Sequence, residues 1–288
     1  MFADMHLHTN LSDGSDTVRQ VLDRAHRNNV SMIAITDHNS LTAHQIIREM
    51  DPTDIPIRIF AGAEFDVIHD RRQYHLLGYG LDIDNRALLE MCEYNTTTQE
   101  NYNQALLREL AKDVPEISEA DYMEYEMPLG RGGWKLLNYL LDAGVTGSLL
   151  EGTKYYGQYG FDSNNIHFAS LSEAVCTIKN ASGIPILAHP AEQIPYHADG
   201  ESRKAFYRTI ESILQTGVRG LECIHPLHGF DLEGELISFC GDRGLYVSGG
   251  SDYHGSFFNK QKQKIGGQFV EVRTIHKMLE ALAGHTVD

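Results

Sequence analysis

Short apolar runs that end on polar residues, separated by amphipathic stretches, recur along this 288-residue chain and restrict it to a β/α architecture. FADMH (2–6) reads as a strand, Asp16 or Thr17 to Asn29 as an amphipathic helix, and VSMIAIT (30–36) as a buried strand. Thr42 to Glu49 reads as a short helix, RIFAGAEFDVI (58–68) as a third strand and QYHLLGYG (73–80) as the next. The alternation returns late. Helices at Leu171 to Ala181, Arg203 to Gln215 and Leu232 to Asp242 precede strands at Ile184 to Ala188, Gly220 to Ile224 and Leu245 to Ser248. Such alternation favours parallel strands with outer helices. Between about Asn85 and His167 it stops. Helical, polar stretches at Asn101 to Lys112 and Lys135 to Asp142 there predict a mainly helical insertion, with Gly157 to Asn165 as the loop leading back.

Composition narrows the class. With 42% hydrophobic residues the chain can bury a large core. Its four cysteines (Cys92, Cys176, Cys223, Cys240) form no CxxC pair, so neither a thiolate zinc site nor a disulfide framework is expected. A formal net charge of -16 argues against long nucleic acid as a partner, because non-specific affinity for its backbone comes from Lys and Arg. A small anionic substrate drawn in by bound cations remains compatible. The sequence has no apolar run of about 18 residues and no basic-then-apolar leader, so no membrane contact and a cytoplasmic location are expected.

Residues able to bind metal collect at the predicted strand ends. In an extended strand, residues two apart share a face, so His6 and His8 can grip one ion together, as can Asp252 and His254. Asp37 and His38 follow VSMIAIT, Glu64 lies in the third strand, His75 in the fourth, and His189 follows ILA. Parallel β/α folds gather active-site residues at that end. Nine nitrogen and oxygen donors exceed what one ion needs. Imidazole and carboxylate without thiolate suit zinc, iron or manganese, and two or three such ions clamp both oxygens of a displacement at phosphorus.

The ordered set DMHLH, SDG, TDHNS, GAEF, YHLLGYGLD, LAHP and GSDYHG resembles the PHP (polymerase and histidinol phosphatase) domain, in its stand-alone metal-dependent phosphoesterase branch. The resemblance implies an α/β fold, a distorted (β/α)7 barrel in one domain over residues 1–288, with 85–167 as the insertion above its active-site end. It also implies a trinuclear centre and phosphoester hydrolysis by a metal-bridging hydroxide. Carried across, His6, His8, Glu64 and Asp252 resemble the ligands of one ion. Glu64 would bridge to a second ion held by His75 and His189, and Asp13, His38 and His254 resemble the third site. Asp4 and Asp37 would orient ligand histidines.

Substrate contacts follow the same resemblance. The branch places an arginine and then a histidine at a helix start in its insertion. Here Gly130-Arg131-Gly132-Gly133-Trp134-Lys135 keeps the cation as Arg131 and has Trp134 where the histidine would fall. Both are candidate substrate contacts, Arg131 for phosphate and Trp134 for a base. In ECIHPLH (222–228), His228 is the candidate phosphate contact or leaving-group acid, with His225 the weaker one. The implied substrate is small and phosphorylated, a nucleotide such as a nucleoside 3',5'-bisphosphate or a short oligoribonucleotide. The competing function is an amidohydrolase cleaving a C-N or C-O bond.

Overall fold

The computed structural model describes residues 1–51, 57–197, 199–257, 264–268 and 270–286. The chain runs β1 (Phe2–Leu7), α1 (Val18–Arg27), β2 (Val30–Ile35), α2 (Thr42–Arg48), β3 (Arg58–His69), β4 (Arg72–Tyr79) and α3 (Arg86–Leu110). It continues through α4 (Glu119–Glu124), α5 (Lys135–Asp142), α6 (Lys154–Gln158), α7 (Leu171–Asn180), β5 (Ile184–Leu187), α8 (Pro190–Gln193) and α9 (Gly200–Gln215). The last elements are β6 (Gly220–Ile224), α10 (Phe230–Arg243), β7 (Tyr246–Gly249), β8 (Val270–Glu271) and α11 (His276–Ala281).

The strands form one sheet in the order β7-β6-β5-β4-β3-β2-β1-β8. It curls until its ends nearly meet. Leu7 bridges Tyr253 in parallel, and the His8 N–H donates to Tyr253 O at 2.9 Å. The chain's first strand and the segment after β7 are therefore neighbours.

β1, β2 and β3 are mutually parallel, as are β5, β6 and β7. β4 is antiparallel to both its neighbours, which corrects the expectation of uniformly parallel strands. Only Asp70 and Arg71 separate β3 from β4, and both are left-handed (φ 46° and 63°). Two such residues make a hairpin turn, whereas a parallel return needs a crossover of about a dozen residues or more.

The expected helix at Asn101 is the second half of a longer one. α3 has 25 residues and spans about 37 Å. Its Asn-Thr-Thr-Thr segment (95–98) reads as non-helical because polar and β-branched residues disfavour helix. Tertiary bonds override that preference. The buried Asn95 donates to Asn39 Oδ1 and Asp66 O (2.8 Å each) and accepts from the Ala169 N–H at 3.0 Å. Farther along, Leu106, Leu107, Leu110, Tyr122, Leu136 and Leu140 form a hydrophobic cluster of the helical region's own.

Elsewhere the helix signals act locally. Thr17 with Gln20 caps α1 and Ser170 with Glu173 caps α7, each as a reciprocal pair that satisfies free N–H groups. His44, fully buried on α2, places Nε2 within 2.9 Å of Ile35 O and Gly62 O, tying the helix to β2 and β3. No described helix is long and apolar enough to cross a membrane.

Candidate metal centre

Nine side chains singled out in the sequence converge at one end of the barrel. His6 and His8 come from β1 and the residue just past it, Glu64 from the middle of β3, and His75 from β4. His189 follows β5, His38 follows β2, and Asp252 and His254 follow β7. Asp13 comes from the loop after β1. Two of these residues are left-handed, His189 at φ 21° and Asp252 at φ 51°. Non-glycine residues hold such angles only when their surroundings impose them.

The Glu64 carboxylate divides its oxygens between two groups. Oε2 lies 3.1 Å from His6 Nε2 and 3.2 Å from His8 Nε2, and Asp252 Oδ1 is 3.4 and 3.3 Å from the same two nitrogens. Oε1 lies 2.9 Å from His189 Nε2 and 3.1 Å from His75 Nδ1. A third group places Asp13, His38 and His254 beside His8, with His254 Nε2 at 3.2 Å from Asp13 Oδ2. Atoms bound 2.0–2.2 Å from one ion lie ~3.0–3.5 Å from each other. Most of these separations fall in that range.

Hydrogen bonds on the far sides of the rings decide which nitrogen faces inward. His6 Nδ1–H donates to Glu222 Oε1 at 2.9 Å, His75 Nε2 lies 3.2 Å from Asp66 Oδ1, and His254 Nδ1–H donates to Asp252 O at 2.9 Å. Each ring then turns a lone pair to the centre. Lone pairs and carboxylate oxygens this close repel unless a cation sits among them, which is the arrangement of histidine ligands braced by carboxylates. His8, His38 and His189 also bury an Nδ1 that makes no hydrogen bond. The donor set thus fits divalent metal.

Electrostatics point the same way. Burial opposes charge on His6 and His75. Glu222, Glu64 and Asp252 around the first, and Glu64 and Asp66 around the second, outweigh it and hold both well above the usual imidazole range. His254 is raised to about 9, mainly by Asp13 and Asp252 acting against burial. Glu64 and Asp252 are held well below the usual carboxylate range, the surrounding histidines outweighing burial.

A cleft of about 710 Å³ opens above this cluster. Its lining includes Asp13, His38, Glu64, His75, His189, Asp252 and His254, together with Trp134, Tyr156 and Phe161. Trp134 is therefore in place. Arg131 is not, since its Nη1 donates to Asp142 Oδ1 at 2.6 Å and it is absent from the lining. His228 is also misplaced for the role expected of it. Its Nδ1–H donates to Cys223 O at 2.9 Å, its Nε2 faces the Ala191 N–H at 3.4 Å, and burial depresses its pKa to about 4. A neutral ring engaged by backbone on both sides is a poor acid.

Asp4 and Asp37 act on loops rather than on imidazoles. Asp37 accepts from the Thr9 N–H and hydroxyl (2.7 Å each) and from the Ser12 hydroxyl (2.6 Å). Asp4 accepts from the Ser251 and Gly266 N–H groups at 2.8 Å. The carboxylates that brace ligand candidates are Glu222 and Asp66, which sequence reasoning missed. Asp66 had a signal, lying two residues from Glu64 and so on the same face of β3. Glu222 stands alone in a buried strand, and only the fold brings it to His6.

The PHP domain profile matches residues 4–133. A phosphoribosyl 1,2-cyclic phosphate 1,2-diphosphodiesterase of Eggerthella lenta is 27% identical over 266 residues, covering 89% of this chain and 95% of that one. A 3',5'-nucleoside bisphosphate phosphatase of Chromobacterium violaceum is 26% identical over 257 residues, covering 87% and 86%. A solved chain from Bifidobacterium adolescentis superposes with a TM-score of 0.76 at 20% identity, covering 97% of this chain and 96% of its own, and so shares the fold. Residues 4–133 thus match the PHP domain, and most of the chain is similar to phosphoesterases.

Proposed function

We propose that this phosphoesterase hydrolyses a small phosphorylated substrate of nucleotide type, using two or three divalent ions (manganese, iron or zinc). His6, His8, Glu64 and Asp252 would hold one ion, Glu64 with His75 and His189 a second, and Asp13, His38 and His254 a third. The observation that carries this reading is the split Glu64 carboxylate, with one oxygen toward His6 and His8 and the other toward His75 and His189. Bound ions of this kind lower the pKa of water and neutralise phosphate oxygens.

The protein's own contribution is positioning. Glu222 and Asp66 keep inward-facing lone pairs on His6 and His75, and Glu222 Oε2 also accepts the His189 N–H at 2.8 Å, holding that residue in its left-handed conformation. Trp134, Tyr156 and Phe161 offer aromatic faces to a base. Manganese-loaded protein should release phosphate or cleave esters in a panel of nucleoside mono- and bisphosphates, cyclic phosphates and short oligoribonucleotides. Glu64→Gln should remain folded and lose about 100-fold or more of that activity. Undiminished turnover in Glu64→Gln would remove the bridging carboxylate from the reading.

A further inference from the structure

Trp134 lines two cavities. One is the cleft of about 710 Å³ above the metal-binding groups. The other is a chamber of about 500 Å³ bounded by the loops after β1 and β2, by α3, and by Met127 and Gly133 to Lys135. Both reach His38, Asp66, Gln99 and Trp134. Of these four, His38 is a candidate metal ligand.

The loop that carries Trp134 is fixed in place. The indole centroid lies 5.5 Å from that of the His38 ring. Asn138 Nδ2 donates to Gly132 O (2.8 Å) and Trp134 O (3.2 Å), and the Gly133 N–H donates to Asp13 O at 2.7 Å. A Cβ on Gly132, whose φ is +72°, would meet Asp13 O at 2.8 Å, so this loop approaches the metal-binding loop as it does only with glycine there.

The chamber has a chemistry of its own. Its lining combines the buried Leu41 and Cys92 with Thr96, Thr97, Glu93 and Glu100. The one cation among its described lining residues, Lys135, has its Nζ 4.6 Å over the Tyr122 ring. Carboxylates and hydroxyls accept hydrogen bonds from alcohols, and carboxylates repel a second phosphate. Apolar lining residues beside such acceptors suit a sugar carrying a base or another flat group.

We propose that this chamber is a binding subsite for an uncharged, polyhydroxylated arm, a sugar or nucleoside, so that the substrate is a phosphodiester whose two arms lie on either side of Trp134. The proposal rests on the phosphoesterase reading above. In the reaction, water adds to phosphorus, one ester P–O bond breaks, and the departing alkoxide leaves as an alcohol with a proton drawn from that water. One arm retains the phosphate as a monoester.

The test compares the dinucleoside monophosphate ApA with the monoester p-nitrophenyl phosphate, using manganese-loaded protein. Thr96→Phe fills the chamber from an exposed position on α3, and Thr97→Phe repeats the test from the adjacent position. Each should lower kcat/KM for ApA by about tenfold or more while leaving the monoester within about twofold. Trp134 is the only tryptophan in the chain. Adenosine added to the metal-free protein should therefore quench its fluorescence saturably, and Thr96→Phe should abolish the quench. Equal effects on both substrates, no effect on either, or wild-type protein that cleaves only the monoester would each overturn the subsite and leave the phosphoesterase reading standing. Wild-type protein that cleaves neither ester when fully metallated would likewise overturn the phosphodiester proposal, while the phosphoesterase reading would stand or fall on the wider panel given above.

Discussion

Glu222 carries two tasks through one carboxylate, and they can be separated from catalysis. Both its bonds, to the His6 ring and to the His189 backbone, are buried. Glu222→Gln keeps the shape but replaces an acceptor with a donor on one arm, so one of the two bonds is lost. Carboxylates that brace ligand histidines change metal affinity by about 10- to 100-fold. Metal titration followed by calorimetry should show a loss of that size, with a near-normal circular dichroism spectrum. Unchanged affinity would mean that the brace is redundant. His228 belongs to the opposite class. His228→Ala should cost about 1–3 kcal/mol of stability by unpairing buried backbone groups, and the metal-loaded variant should keep its kcat. A collapse of kcat at unchanged stability would restore His228 as an acid.

At the scale of elements, the meeting of β1 with the chain after β7 depends on close backbone approach. A Cβ on Gly250 would lie 2.5 Å from the His6 backbone nitrogen and 2.5 Å from His6 Cβ, and backbone has little room to yield. Gly250→Ala should therefore destabilise by about 1–3 kcal/mol in urea unfolding. It should also weaken metal binding, because His6 must shift. A variant as stable as wild type would show that the seam is looser than these distances state. The strands and helices of the barrel were legible because each is a local pattern. Runs such as VSMIAI are apolar and β-branched, and Thr17 and Ser170 announce helix starts. β4's direction was less so, since a hairpin turn of Asp70 and Arg71 lacks the glycine or asparagine that usually marks such turns. The extent of α3 was hidden as well, because Asn95 satisfies its side chain only through residues distant in sequence.

For the whole molecule, metal and fold are linked. The metal-free site stores protons on histidines crowded by carboxylates, and His254 sits at about 9 against an ordinary 6.5. A raised folded-state pKa gives stability that is fully present below about 6.5 and is lost as pH rises through about 9. Metal must displace those protons, so its affinity should rise with pH across the same window. Manganese added to unbuffered metal-free protein near neutrality should acidify the solution. Metal at about 100 times its Kd adds ~2.7 kcal/mol, and thermal unfolding should move up by several degrees and return on chelation. Absence of both proton release and a thermal shift would mean that the cluster does not bind the ion.

The sequence by itself determined most element types, because hydrophobic period and capping are local, and it offered His6 with His8 and Asp252 with His254 as ligand pairs, because residues two apart on a strand share a face; the full ligand set came with the resemblance to the PHP domain. What only the tertiary structure decided was company. Glu222 reaches His6 across 216 residues, Arg131 pairs with Asp142, and Trp134 lines two cavities. Such pairings depend on barrel closure and on how the helical region docks, and no local pattern encodes a distance between residues so far apart in the chain.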